Sequence, residues 1–265
     1  MFGIYDMKYR CVAVAVFWLS SAAYGASAQL PATAHYDATK NSTDQPNISG
    51  VWLIKDYVPN TRPQGERLLK TMDGARPPLQ DWAAKLYYQR ADDADAGRPY
   101  APTSAQCLPP GMPAMMLGPP YPFQIVQSPG LVLTVHMEEH AFRFIYLGET
   151  LPSDPDPIFM GYSVGRWEGD TLLVDTVGLT DRTTLDFSGL PHTDQLRVHE
   201  RIHRVNHDTL EDVLTFDDPG AYTKPWSIRR MYALQGPAER IQEYVCETQH
   251  NPVDASGHST YSVKP

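Results

Sequence analysis

From Phe123 onward the chain is divided into short runs in which apolar and polar residues alternate, each closed by turn residues after about ten to fifteen positions. Successive side chains of an extended strand point to opposite faces, so alternation at period two gives each run one dry face and one wet face. The runs are FQIVQ, GLVLTVHM, AFRFIYL, YSVGRW, TLLVDTV, LRVHERIHRV, TLEDVLTF, WSIRRMYAL and RIQEYVCE, with GVWLIKDYV at 50–58 as a tenth. Tight turns are supplied by Glu168-Gly169-Asp170 and by Asn206 to Asp208. Many short strands joined locally predict a mainly β chain folded as an antiparallel barrel or sandwich.

Ahead of most strands, RPPLQDWAAKLYYQRADDADAG at 76–97 predicts the one clear helix. Pro78 suits its first turn, Trp82, Leu86 and Gln89 or Arg90 fall on one face, and Gly97 suits its exit. In CLPPGMPAMMLGPPYPF at 107–123, prolines and glycines oppose regular structure, which predicts a long loop laid over the fold. Its methionines, Met115 among them, are expected to pack, with lining of a pocket mouth as the alternative. The 265 residues, 42% hydrophobic, suffice for a single domain over 49–265.

At the N-terminus Lys8 and Arg10 precede an apolar run from Cys11 to Leu19, and Ala26-Ser27-Ala28 precedes Gln29. This order is that of a secretory signal over 1–28, cleaved near Ala28-Gln29, followed by a flexible polar leader over 29–48. The mature chain is therefore expected in the periplasm or outside the cell. The apolar run is too short to span a bilayer, so stable membrane insertion is not expected. Cleavage leaves Cys107 and Cys246, which in an exported chain predict one disulfide, with buried thiols or a reactive Cys107 as alternatives. A net charge of −9 with scattered Lys and Arg argues against nucleic acid and points to a small-molecule partner.

One motif suggests metal chemistry. His199-Glu200-Arg201-Ile202-His203 matches H-E-x-x-H, which on a helix sets two imidazoles on one face to grip zinc while the Glu activates bound water. Here the surrounding RVHERIHRV alternates as a strand, with Val198, Glu200 and Ile202 opposite His199, Arg201 and His203. On a strand the Glu points away from both histidines, and the sequence beyond His203 lacks the usual Gly and third His. No metal ligand is assigned, and a zinc hydrolase is retained only as the third functional reading.

Catalytic candidates follow from polar residues placed among hydrophobes, because a buried charge is costly unless it has a partner or a task. Alternation nominates Asp175 with Leu173 and Val177, Glu200 with Val198 and Ile202, Glu243 with Ile241 and Val245, and Arg230 with Ile228 and Tyr232. A structural ion-pair network is the alternative for these. The loop LTDRTTLDFSGLPHTD places His192 near Asp181 and Arg182 at a barrel rim, where an acid could orient the imidazole as a general base. Tyr222 and Trp226 offer flat faces to an aromatic ligand, and His140 and Tyr146 are expected to join them.

Two sets of residues carry resemblances. Gly50-Val51-Trp52 after a polar leader resembles the G-x-W that opens the first strand of lipocalins and other calycins, which implies a lipocalin-like barrel of about 8–10 strands. The strings GRPYAPTSAQCLPPGMP, VGRWEGDTLLVDTVGL, DRTTLDFSGLPHTDQLRVHERIHRV, DTLEDVLTFDDPGAYTKPW and EYVCE are similar to a family of exported, mostly uncharacterised bacterial proteins. In that family the first position of the H-E-x-x-H match is usually apolar. The resemblance implies an exported β-rich barrel and little settled biochemistry.

Nucleophile-elbow, phosphate-loop, dinucleotide and haem-attachment motifs do not occur in the sequence, so no cofactor is expected. The first reading is a cofactor-independent lyase, isomerase or cyclase acting on an apolar, aromatic small molecule. In it His192 or Glu200 serves as base and Arg182 or Arg230 steadies an oxyanion. The second is a non-catalytic, lipocalin-like carrier of a hydrophobic ligand.

Overall fold

A computed structural model describes residues 45–55, 68–118, 121–246 and 255–257. Nine strands close into one barrel in chain order. They are β1 (Gly50–Ile54), β2 (Phe123–Ser128), β3 (Leu131–His136), β4 (Phe142–Leu147), β5 (Tyr162–Glu168), β6 (Thr171–Val177), β7 (Arg197–Asn206), β8 (Thr209–Asp217) and β9 (Trp226–Leu234). The mainly β barrel agrees with the alternation. It is not antiparallel throughout. A ring of nine strands cannot reverse direction at every seam, and the like-directed seam falls between β4 and β5, where Ile145 faces Ser163 and Tyr146 faces Val164. Parallel neighbours need a crossover in place of a hairpin, and residues 148–161 supply it.

Closure also explains the strand that did not form. The run RIQEYVCE was expected to pair, yet residues 241–246 lie outside the ladder. β1 already pairs with β9, Trp52 opposite Leu234, so the ring offers no free edge for another strand. Glu243 is accordingly exposed and Val245 is 70% exposed. The chain from 241 to 246 forms a strap, held where Cys246 meets Cys107 at disulfide distance, with Cα atoms 5.5 Å apart.

The proposed signal, residues 29–44 of the leader, and 56–58 of the first run lie outside the described residues. Where the description begins, Ile48 is fully buried, and its amide donates to Gln127 Oε1 at 2.7 Å. The packed domain therefore starts before residue 49. Trp52 fills the interior beside it and donates through Nε1 to the Ile48 carbonyl at 3.0 Å. Among the described residues no helix is long and apolar enough to cross a membrane.

Helix α1 (Asp81–Asp95) buries Ala83, Tyr87 and Ala91, a stripe one position away from the expected Trp82 face. Two alanines let the helix lie close to its neighbours, while the Tyr87 hydroxyl meets Ser188 Oγ at 3.0 Å. Trp82 remains 46% exposed and donates to the Gly220 carbonyl at 2.9 Å. Gly97, with φ +79°, takes the left-handed conformation expected of a helix exit.

The Pro-rich segment contains a short helix, α2 (Ala114–Leu117), with all four residues buried. Met112, Met115 and Met116 belong to the hydrophobic core, so Met115 is a packing residue. Inward residues of β9 hold this segment: Tyr232 donates to the Met116 carbonyl at 2.8 Å and Arg230 Nε to the Leu117 carbonyl at 3.3 Å.

Candidate functional site

The H-E-x-x-H match lies on β7, where Glu200 is 1% exposed and faces inward. His199 faces outward and meets Asp175 Oδ1 through Nδ1 at 2.5 Å, and His203 stands 3.5 Å from Asp170. The imidazoles and the carboxylate thus occupy opposite faces of the sheet. Among the described residues no three His, Cys, Asp or Glu side chains converge on a point that could hold a metal.

Inside the barrel Glu200 pairs with Arg143 of β4, both nearly inaccessible. The guanidinium binds both Glu200 oxygens, donates through Nε to Ser163 Oγ at 3.0 Å and reaches Thr176 Oγ1 at 2.8 Å. Across the β7–β8 seam Asp212 is fully buried, and its carboxyl shares a side-chain hydrogen bond with Glu200. Burial, reinforced by the nearby Glu200 charge, holds the Asp212 carboxyl well above the usual carboxylate range, so it is neutral. His136, whose Nε2 meets Thr134 Oγ1 at 2.9 Å, is pushed down to about 3 by burial and by Arg143.

One inward assignment changes and another gains a different partner. Asp175 faces outward, because register places Leu172, Val174 and Thr176 opposite Ile202, Glu200 and Val198. Leu173 and Val177 are also buried, from outside the barrel, so β6 is apolar on both faces and alternation misleads there. Arg230 does face inward, as expected, but it binds the Leu117 carbonyl, and the partner of Glu200 is Arg143.

His192 is 5% exposed rather than open at a rim. Its Nδ1 donates to the Thr193 carbonyl at 2.9 Å and its Nε2 meets Thr183 Oγ1 at 2.9 Å, so the imidazole pins the loop while burial lowers its pKa. Asp181 and Arg182 are exposed, and the Arg182 guanidinium lies 5.4 Å from the Phe159 ring centre. Tyr222 and Trp226 are core residues: the Tyr222 hydroxyl donates to the Pro191 carbonyl at 2.7 Å, and Trp226 packs 4.8 Å from Phe216. Large side chains, including Trp52, Ile125, Leu214 and Tyr232, occupy the interior where a ligand cavity was expected.

Space for a ligand lies on the outside, along the parallel seam. β4 reverses the usual polarity, with Arg143 and Ile145 inside and Phe142, Phe144 and Tyr146 outside, 52%, 47% and 44% exposed. These three form one wall of a groove of about 840 Å³, and Leu151, Ile158 and Phe159 of the crossover also line it. Exposed aromatic residues that share a concave surface mark a binding site more strongly than single exposed hydrophobes do.

One end of the groove is formed by Glu139 and His140. Both adopt left-handed backbone, φ +53° and +47°, in the tight turn between β3 and β4. His140 Nε2 accepts from the Tyr244 amide at 2.8 Å, so its proton sits on Nδ1 when the ring is neutral. Glu139 Oε1 and Glu138 Oε2 are buried without partners. Burial raises the Glu139 carboxyl, and burial plus the Glu139 charge pushes Glu138 up to about 8. Of the expected ligand contacts, His140 and Tyr146 line this groove together, while Tyr222, Trp226 and Met115 do not. The sequence reading missed Arg143, Glu138, Glu139, Phe142 and Phe144.

Glu138 gives the protein a specific pH dependence. The unfolded chain releases its proton near 4.5 and the folded protein only near 8, so the stability it contributes is complete below 4.5 and is lost as pH rises toward 8. Asp212 and Asp186, also raised by burial, act in the same sense. His136 acts oppositely, since the unfolded chain protonates near 6.5 and the folded protein near 3; its contribution is lost as pH falls from 6.5. Stability should therefore fall between pH 6.5 and 8, and Glu138→Gln should remove about 1–2 kcal/mol of that fall, read from urea midpoints across the range. An unchanged slope in the variant would place the titration elsewhere.

A scan against protein-family models returns no match, and no curated protein matches the chain.

Proposed function

We propose that the protein binds an apolar, aromatic small molecule in the exterior groove along the β4–β5 seam. The observation that carries this reading is the reversed polarity of β4, which exposes three aromatic rings on one wall of a concave surface while burying an arginine. Leaving such rings in water is unfavourable by roughly 25 cal/mol for each Å² of apolar area, and a flat aromatic ligand removes that exposure. With an exported mature chain, the role is that of a periplasmic or secreted carrier.

Catalysis is the second reading, favoured by the orphaned Glu139 oxygen beside His140. A raised carboxyl next to an imidazole can give and take a proton at a substrate lying on the Phe142 side of the groove. In this reading acid/base work moves from His192 and Glu200, both closed to solvent, to Glu139 and His140.

The test is a Phe144→Ser variant titrated with 2-naphthalenemethanol by calorimetry. Affinity should fall about tenfold or more, because one ring's contact area is lost, while the urea midpoint stays within about 0.5 kcal/mol of the parent. Equal affinity in the two proteins would remove the groove from consideration.

A further inference from the structure

The groove's charges are one-sided. Its lining contains two carboxylates, Glu139 and Glu149, and neither lysine nor arginine. The crossover that borders it, residues 148–161, adds Asp154 and Asp156 and again no cation. Arg143, the arginine of β4, is buried on the opposite face and bound to Glu200. The nearest cation that a contact places beside the lining is Arg182, which is held over Phe159.

Beside Glu139, His140 begins a chain of ring contacts. His140 meets Tyr244 edge-on with centres 6.5 Å apart, and Tyr244 meets Tyr121 edge-on at 5.6 Å. Burial and then the Glu139 and Glu138 charges push the Tyr244 phenol up to about 12. Aromatic faces beside an acid form the arrangement that receives an ammonium group, because ring quadrupoles and a carboxylate both attract a cation.

We propose that the molecule bound in the groove is a cationic amphiphile, its amine or quaternary ammonium seated against Glu139 beside His140, its apolar body lying along Phe142, Phe144 and Tyr146. The buried, unpartnered Glu139 Oε1 then gains the donor or counter-charge it lacks. A carboxylate-headed ligand would meet two acids and no cation. This inference rests on the groove being the binding site.

Three probes sharing one ring system separate the two ideas: 2-naphthylmethylammonium, 2-naphthalenemethanol and 2-naphthoate, titrated by calorimetry into the full mature chain at pH 8. The ammonium should bind about tenfold more tightly than the alcohol, and the carboxylate more weakly than either. Glu139→Gln should bring the ammonium to the alcohol's affinity. Equal binding of ammonium and alcohol, or tighter binding of the carboxylate, overturns the cationic assignment while the groove stands. If none of the three binds, the groove itself fails and the cationic assignment falls with it. Loss of the ammonium preference in Glu139→Gln with no change in Tm excludes misfolding as its cause.

Discussion

Replacing Arg143 by methionine is expected to cost about 3–5 kcal/mol. The variant leaves Glu200 at 1% exposure without its guanidinium partner, beside the fully buried, neutral Asp212. It also removes the donor to Ser163 Oγ and Thr176 Oγ1. Much of the cost lies in that stranded charge, so Arg143→Met combined with Glu200→Leu should recover most of it, because replacing both partners by apolar groups of similar volume is often near neutral. Urea denaturation of the two single variants and the double variant closes the cycle. A single variant as stable as the parent would mean that Glu200 takes up a proton at little cost, and the pair would then be no more than packing.

Loss of the Cys107–Cys246 link should cost about 2–4 kcal/mol, since the cross-link joins residues 139 apart and greatly restricts the unfolded chain. The effect is local as well. The strap ending at Cys246 carries Tyr244, whose amide donates to His140, so release of the strap loosens the acid end of the groove. Cys107→Ser with Cys246→Ser should lower the urea midpoint and speed hydrogen exchange at Tyr244 and His140 more than along β7 and β8. Reductant should reproduce both effects in the parent. Identical midpoints with and without reductant would show that the thiols are not joined in solution.

The barrel was legible because each core strand is apolar on at least one face and closed by turn residues, as TLEDVLTF and WSIRRMYAL are. Strand periodicity also placed Glu200 inside and the two histidines of its motif outside. Periodicity failed wherever the chemistry of a face no longer marks its direction. β6 is apolar on both sides, which sent Asp175 to the wrong face. In β4 the aromatic side is the wet side, so Arg143 escaped notice although its alternation with Phe142 and Phe144 is plain in AFRFIYL. The parallel seam, and with it the groove, depends on how many strands close the ring, which no local pattern encodes. His192 was misplaced for a similar reason: burial of a loop depends on what folds over it, and here Thr183 and Thr193 close around the ring.

Ring closure has a kinetic consequence. β1 begins at residue 50 and acquires its second neighbour only when β9, ending at residue 234, is in place. During synthesis or refolding, β1 and the growing strand at the other end of the sheet each expose an unpaired backbone edge for as long as the barrel stays open. Pairing across so large a sequence separation is slow compared with hairpin formation. Refolding yield should therefore fall as protein concentration rises, with molecules captured at open edges before the last seam forms.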